Sequence, residues 1–421
     1  MLRRFAAPLF AIILAIPAFA ATRMTFDIQG TATPIEWAPT AFPLRYTIDR
    51  HVTDLDPNAA AMIDRAFAAW QSLPDVSLRF ESRGVAQSVA PGGDGISISV
   101  ADDLLRGQGA IAITAYTYDN ATGRMLDADI RLDPSIFSGG VNAQAALEHE
   151  VGHTLGLDHS AVLSSVMYPY VSPGDTQSDL DADDRIAIST IYPKNDPTLR
   201  GATLQGRVLG DDGGIFAAQV VAVNDRGQPI ASGLTNASGE FALMTVPAGR
   251  YRLYVEPLDG PVVVSALQGT WRQAALKPFP TEFFPSDIQV ENGKVYGNLV
   301  VTAAGAVRLN PRLIGAADPT SNSVSLNSSP VVVRPGQTVK LTVGGDGFTS
   351  GMTQFEVLNP AFQRISDFEY WGEAVSATFV IAADAPAASS VIVVRNGNEM
   401  ATLTGALRVY GARKARAIRT S

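Results

Sequence analysis

His149-Glu150-Val151-Gly152-His153-Thr154-Leu155-Gly156-Leu157-Asp158-His159 places three imidazoles and a carboxylate within one helix and one turn. On a helix, positions i and i+4 share a face, so His149 and His153 can point at a single ion. Glu150 is offset around the helix, outside the ligand set, where it can hold a water. Gly156 continues a helix poorly but adopts positive φ, so the chain can stop, turn and bring His159 back as a third ligand. Three protein ligands leave a fourth tetrahedral position open, which separates catalytic from structural zinc. Ordinary helix histidines would account for the first five residues. They do not account for the longer pattern, which takes three of the four histidines in a 421-residue chain.

At these residues the chain resembles the metzincin metalloproteases, and Ser160 with Ser165-Val166-Met167-Tyr168-Pro169 resembles the matrixin branch, of an exported bacterial kind. The resemblance implies an α/β zincin domain with a mixed twisted sheet and three helices. It implies one catalytic Zn2+ on His149, His153 and His159, and peptide hydrolysis by a zinc-bound water for which Glu150 is the base. Met167 becomes the Met-turn residue beneath the metal, and Pro169 and Tyr170 shape the pocket for the residue after the cut bond. The stretch Gly109 to Thr114 resembles the family's edge strand, so Ile111 and Ala112 would offer backbone groups to an extended peptide.

The family's structural-zinc histidines are absent. The corresponding stretches read Ile111-Ala112-Ile113-Thr114 and Asp127-Ala128-Asp129-Ile130-Arg131, so no structural zinc is expected. Calcium on Asp127, Asp129 or Asp133 is a further option, since carboxylates suit a hard cation. Arg131, standing where a family carboxylate would be, argues against the usual site, and solvated acids near a strand end are the alternative.

Composition agrees with an exported multidomain protein. With 46% hydrophobic and 17% charged residues, the chain can build two or three cores. A net charge of −9 gives no basic footprint, so nucleic acid is not expected as partner; a protein or peptide substrate is, for a monomer. The chain has no cysteine. That removes a thiol nucleophile, a thiolate ligand and the propeptide cysteine by which matrixins are commonly held latent. Residues 1–20 carry Arg3 and Arg4, an apolar run to Ile16 and Ala18-Phe19-Ala20, which reads as a signal peptide cut after Ala20. The run is too short to span a membrane, so a secreted, extracellular or periplasmic protein without a span is expected.

Between 21 and 193, alternation predicts strands at Leu44–Ile48, Val76–Phe80, Ile96–Val100, Ile111–Ile113 and Ile130–Leu132. A first helix opens on Asp56 as N-cap and Pro57, with Ile63, Phe67 and Trp70 on one face. The zinc helix spans about 142–155, and a last helix spans about 181–191. A linker at 194–200 leads to two all-β sandwich domains. Residues 201–312, with Gly239-Glu240-Phe241 and Pro247-Ala248-Gly249-Arg250-Tyr251, resemble the carboxypeptidase regulatory-like (transthyretin-like) family. Residues 319–411, with a glycine-rich turn at Gly344-Gly345-Asp346-Gly347, resemble immunoglobulin-like modules of the IPT/TIG kind. Trp271, Tyr370 and Trp371 read as core packing or as exposed binding aromatics. Residues 412–421 form a basic tail. Two functions follow: a secreted zinc endopeptidase positioned by its β modules, or a surface-binding protein with an inactive protease-like domain.

Overall fold

A computed structural model describes residues 22–28, 31–92, 95–102, 104–170, 179–274 and 278–410. The expected signal peptide and basic tail lie outside them. The hairpin β1 (Thr25–Ile28) and β2 (Thr31–Pro34) comes first, then β3 (Leu44–Asp49), α1 (Arg50–Leu55) and α2 (Ala59–Gln71). β4 (Phe80–Ala86), β5 (Ile96–Val100), α3 (Leu104–Gln108), β6 (Ala112–Tyr118) and β7 (Met125–Leu132) follow, then α4 (Ala143–Thr154) and α5 (Ala182–Ile191). The strand order is β4-β3-β5-β7-β6. β3, β4, β5 and β7 run parallel, and β6 is antiparallel to β7 at the edge. Parallel neighbours need crossovers, and α1 and α2 supply the one between β3 and β4. On α2 the buried face is Ala59, Ile63, Ala66, Phe67 and Trp70. Phe67 stacks on Tyr46 of β3 at 4.0 Å, and the Trp70 indole donates to the Glu148 carbonyl of α4 at 2.9 Å. Helix α4 is thereby fixed to the sheet through α2.

Four expectations need correction. There are five α-helices among the described residues rather than three, because the short α1 and α3 carry too few turns to show a period. Asp56 ends α1 instead of capping α2; its carboxylate accepts from the Asn58 amide at 2.6 Å in a local turn between the two. Val76 and Leu78 are buried without lying in a strand, Val76 making a single bridge to Pro193, and β4 begins only at Phe80. Ile111 precedes β6, which runs on to Tyr118.

α4 stops as its sequence suggests. The Leu157 amide bonds back to the Gly152 carbonyl at 3.2 Å and the Gly156 amide to the His153 carbonyl at 3.0 Å, the two bonds of a Schellman ending. Gly156 has φ +87°, and a Cβ there would lie 2.3 Å from the Ile35 carbonyl oxygen. Glycine is thus required twice, by dihedral and by space.

Beyond α5 the chain is β structure. Strands Gln219–Asn224, Pro229–Leu234, Gly249–Glu256 and Glu282–Phe283 form one sheet, which packs on another built from Ala202–Gly210, Glu240–Val246 and Val295–Thr302. Leu204, Phe241, Leu253 and Val255 meet in the core between them. In the last unit, Asn310–Ala317, Thr338–Asp346 and Ala374–Ile381 face Val331–Val333, Ala388–Asn396 and Glu399–Val409 across a second core. Trp271 is buried, Tyr370 half-buried, and Trp371 53% exposed, so only the last departs from packing.

The three units share side chains. Leu163 and Tyr168, from the segment after the third histidine, sit in the core of the last sandwich, and Ile186 of α5 sits in that of the middle one. The buried Asp183 of α5 accepts from the Ser160 hydroxyl at 2.7 Å and from the Ser232 amide of the middle unit at 2.8 Å. Among the described residues no helix is long and apolar enough to cross a membrane.

Candidate metal centre

α4 carries His149 and His153 one turn apart, and the Gly156 turn returns His159 to them. One ring nitrogen from each lies within 4.8 Å of the others, and His153 Nε2 is 3.3 Å from His159 Nε2. The opposite nitrogens are engaged: His149 Nδ1 with the Val166 carbonyl at 2.7 Å, His153 Nδ1 with the Leu157 carbonyl at 2.8 Å, and His159 Nδ1 with the Ala266 carbonyl. A carbonyl oxygen only accepts, so each Nδ1 carries the proton. Burial disfavours the imidazolium form, pulling His149 down to about 3 and His153 and His159 below the usual range, so the rings are neutral at pH 7. Bare Nε2 lone pairs then face one another. Tetrahedral zinc about 2.0–2.1 Å from each nitrogen would separate its ligands by roughly 3.3 Å. The donor set fits a zinc ion, and carbonyls holding the far nitrogens are the usual outer support of such ligands.

Glu150 is buried beside the trio. Thr114 of β6 donates its hydroxyl to Glu150 Oε2 at 2.6 Å. Burial pushes the carboxyl up to about 7, and the Thr114 bond acts the other way. Beneath the histidines, a Cβ on Gly152 would lie 2.3 Å from Met167 Sδ, so the glycine is what lets the thioether reach the helix. The turn carrying Met167 is held by Asp184 of α5, which accepts from the Ser165 hydroxyl at 2.5 Å and the Val166 amide at 2.9 Å. The same carboxylate closes the α5 capping box with Asp181. Asp158 turns one oxygen to the His159 amide at 2.7 Å and the other to the Gln268 amide of the middle unit at 2.9 Å.

The sequence reading did not single out Thr114, Asp158, Asp184, Ala266 or Gln268. Only Asp184 left a local trace, as the fourth residue of an Asp-x-x-Asp helix start. Of the expected substrate residues, Ala112 begins the edge strand β6, while the Ile111 carbonyl is already taken by the Asp133 amide at 2.9 Å. Pro169 is half-buried and Tyr170 exposed, its ring against Tyr168 at 5.7 Å. The carboxylates considered for calcium meet protein donors. Asp129 accepts from the Ser97 hydroxyl and the Gly92 amide, Asp127 from the Gly95 amide, and Asp133 caps the turn at Ser135. Among the described residues, the histidine trio is the one group of three or more ligand-type side chains close enough to hold an ion.

Residues 36–193 match the sequence profile of the Matrixin family. Metalloendoproteinase 4-MMP of Arabidopsis thaliana is 28% identical over 169 residues, spanning 36% of this chain and 47% of that protein. The hatching enzyme of Paracentrotus lividus is 30% identical over 160 residues, 36% of this chain and 26% of that protein. Karilysin of Tannerella forsythia is 41% identical over 58 residues, 14% and 12% of the two chains. The chain thus spans about half or less of the length of these relatives. A solved major pilin subunit of Bacillus cereus aligns with 50% of this chain and 68% of its own, at 9% identity and a TM-score of 0.16, too low to bear on the fold. Joined to the geometry of the trio and the edge strand, the profile match makes residues 36–193 a matrixin domain of the α/β zincin fold.

Proposed function

We propose that the protein is a zinc-dependent endopeptidase that acts outside the cytoplasm, with His149, His153 and His159 as ligands and Glu150 as general base. The observation that carries this reading is the convergence of three neutral imidazoles beside a carboxylate that, among the described residues, makes no ion pair with a cationic side chain. When bound, zinc polarises the scissile carbonyl and acidifies the attacking water. The chain's own groups do the rest. Thr114 occupies Glu150 Oε2, which leaves Oε1 to take a proton from the water and pass it to the leaving amine. A carboxyl near 7 suits both transfers. β6, at the sheet edge, offers backbone groups along which a peptide can lie extended, with Ala112 at its start, and the family resemblance assigns Pro169 and Tyr170 to the pocket for the residue after the cut bond. Met167 keeps the floor of the site apolar. The two sandwiches then position the site, and the leader at 1–20 directs export.

Glu150→Ala tests the assignment, because Glu150 is the base and not a ligand. The variant should retain one zinc per chain and lose cleavage of a denatured protein. A zinc-loaded wild-type chain that cuts nothing in a broad peptide library would refute it and favour a binding protein instead.

A further inference from the structure

The middle sandwich reaches into the metal centre. Between strands Gly249–Glu256 and Glu282–Phe283 the chain makes a long excursion, and Ala266, Gln268, Gly269 and Thr270 in its stretch 262–272 touch the matrixin domain. This strap is rooted in its own unit by Leu267 and Trp271, buried with Ala217, Leu234 and Leu258. From that root it touches both rims of the cleft. On one rim the Ala266 carbonyl accepts from His159 Nδ1, and the Gln268 amide donates to Asp158 at 2.9 Å. On the other, the Tyr116 hydroxyl of β6 donates to Gln268 Oε1 at 2.9 Å. At its far side Gly269, at φ +58°, passes so close to β1 that a Cβ would fall 1.8 Å from the Thr25 carbonyl oxygen. No residue between Pro261 and Ala274 is an acid, a histidine or a cysteine, so the strap does not offer the ligand types the trio uses.

Tyr116 lies two residues along β6 from Thr114, on the same face, so the bridge to Gln268 stands about 7 Å from the level of Glu150. An extended peptide pairing with β6 meets it after roughly two residues. We propose that the strap is a fixed wall of the active site: it orients the third metal ligand and ends the cleft at Tyr116. The substrate class is then peptides with a short overhang, about two residues, on that side of the scissile bond. This rests on the peptidase reading. Ala266 and Gln268 are positioning residues, acting through His159, Asp158 and Tyr116.

The test uses the full chain and reads binding as well as cleavage. In zinc-loaded Glu150→Ala protein, affinity is measured for labelled peptides with one core lengthened residue by residue at either end. Affinity should fall at least tenfold once one end, and not the other, exceeds about two residues; Tyr116→Ala/Gln268→Ala should abolish the asymmetry. Equal tolerance at both ends, or no binding at any length, overturns the wall. Zinc affinity is measured separately by chelator competition. Gly269→Ala, which must push the strap off β1, should weaken zinc about tenfold or more, as loss of outer-shell support does. Gly293→Ala, at φ +72° with nothing within 4 Å, should leave it unchanged. Wild-type affinity in folded Gly269→Ala overturns the clamp. If that variant does not fold, Gln268→Ala and the length series still decide the proposal. Because none of these readouts needs hydrolysis, a protein that binds asymmetrically and never cuts would sink the peptidase reading alone.

Discussion

Replacing Thr114 by valine removes one hydroxyl and keeps the shape of the side chain. That hydroxyl is the sole donor described on the Glu150 carboxylate, at 2.6 Å from Oε2, where Glu150 is buried and Thr114 half-buried. A hydrogen bond to a charged group contributes about 1.5–3 kcal/mol, and short charge-assisted bonds lie toward the upper part of that range. Taking about 2 kcal/mol, and a decade of rate per about 1.4 kcal/mol, Thr114→Val should lower kcat by about 30-fold. KM should change little, because Thr114 acts through its hydroxyl on the base. Zinc affinity should be unaltered, because Thr114 touches no imidazole. Thr114→Ser restores the donor and should recover kcat to within about threefold of wild type. The assay is steady-state cleavage of a quenched peptide, with zinc content measured on each preparation. Whatever residual rate Glu150→Ala retains should not fall further on adding the substitution, since residues acting as a unit are not additive. A wild-type kcat in Thr114→Val, or an undiminished loss in the Glu150→Ala background, would refute the role given to this bond.

Gly152→Ala should destabilise by about 1–3 kcal/mol although alanine favours a helix, because its methyl meets Met167 Sδ and the Trp70 ring; a thermal melt reads it. Asp184→Ala should cost about 3 kcal/mol by leaving the Ser165 and Val166 donors unsatisfied, and should loosen zinc by freeing the turn under the trio. Its check is denaturant unfolding together with chelator competition. Glu256 of the middle unit, raised to about 7 by burial against the partial relief of the Thr402 and Thr404 hydroxyls, gives a pH signature. Below pH 4.5 it is protonated folded or unfolded. As pH rises the unfolded chain ionises first, so stability is lost through about 7 and then levels off, about 3 kcal/mol lower. Glu256→Gln should remove this drop, so the stability difference between variant and wild type should grow from pH 5 to pH 8 and be flat if the carboxyl is not buried.

The convergence of His149, His153 and His159 was legible because its geometry is local: four residues of helix and one glycine bend decide where three rings point. The closeness of Met167 to that helix was signalled by its spacing from His159. Thr114 was not, because 36 residues and a strand separate it from Glu150, and nothing in its neighbours marks a threonine that faces a carboxylate. The partner of His159 lies 107 residues downstream, on a strap whose composition is apolar and unremarkable. Val76 and Leu78 show a subtler failure. Their alternation reports burial, which a loop pressed on a core shares with a strand, so the period was right and the hydrogen bonding wrong. Helix α1 was hidden by brevity, although Asp49 capping the His51 amide at 2.8 Å is the mark that could have found it.

The way Asp183 is shared has an evolutionary side. One of its oxygens answers to a serine beside the metal ligands and the other to a backbone amide of a different unit. A recombinant that spliced residues 36–193 onto foreign scaffolding would leave the buried Asp183 without its Ser232 amide donor and deprive His159 of its carbonyl. Such a hybrid should start out less stable and with a looser histidine trio, so gene shuffling should pass residues 36–193 along together with the sandwich that completes them.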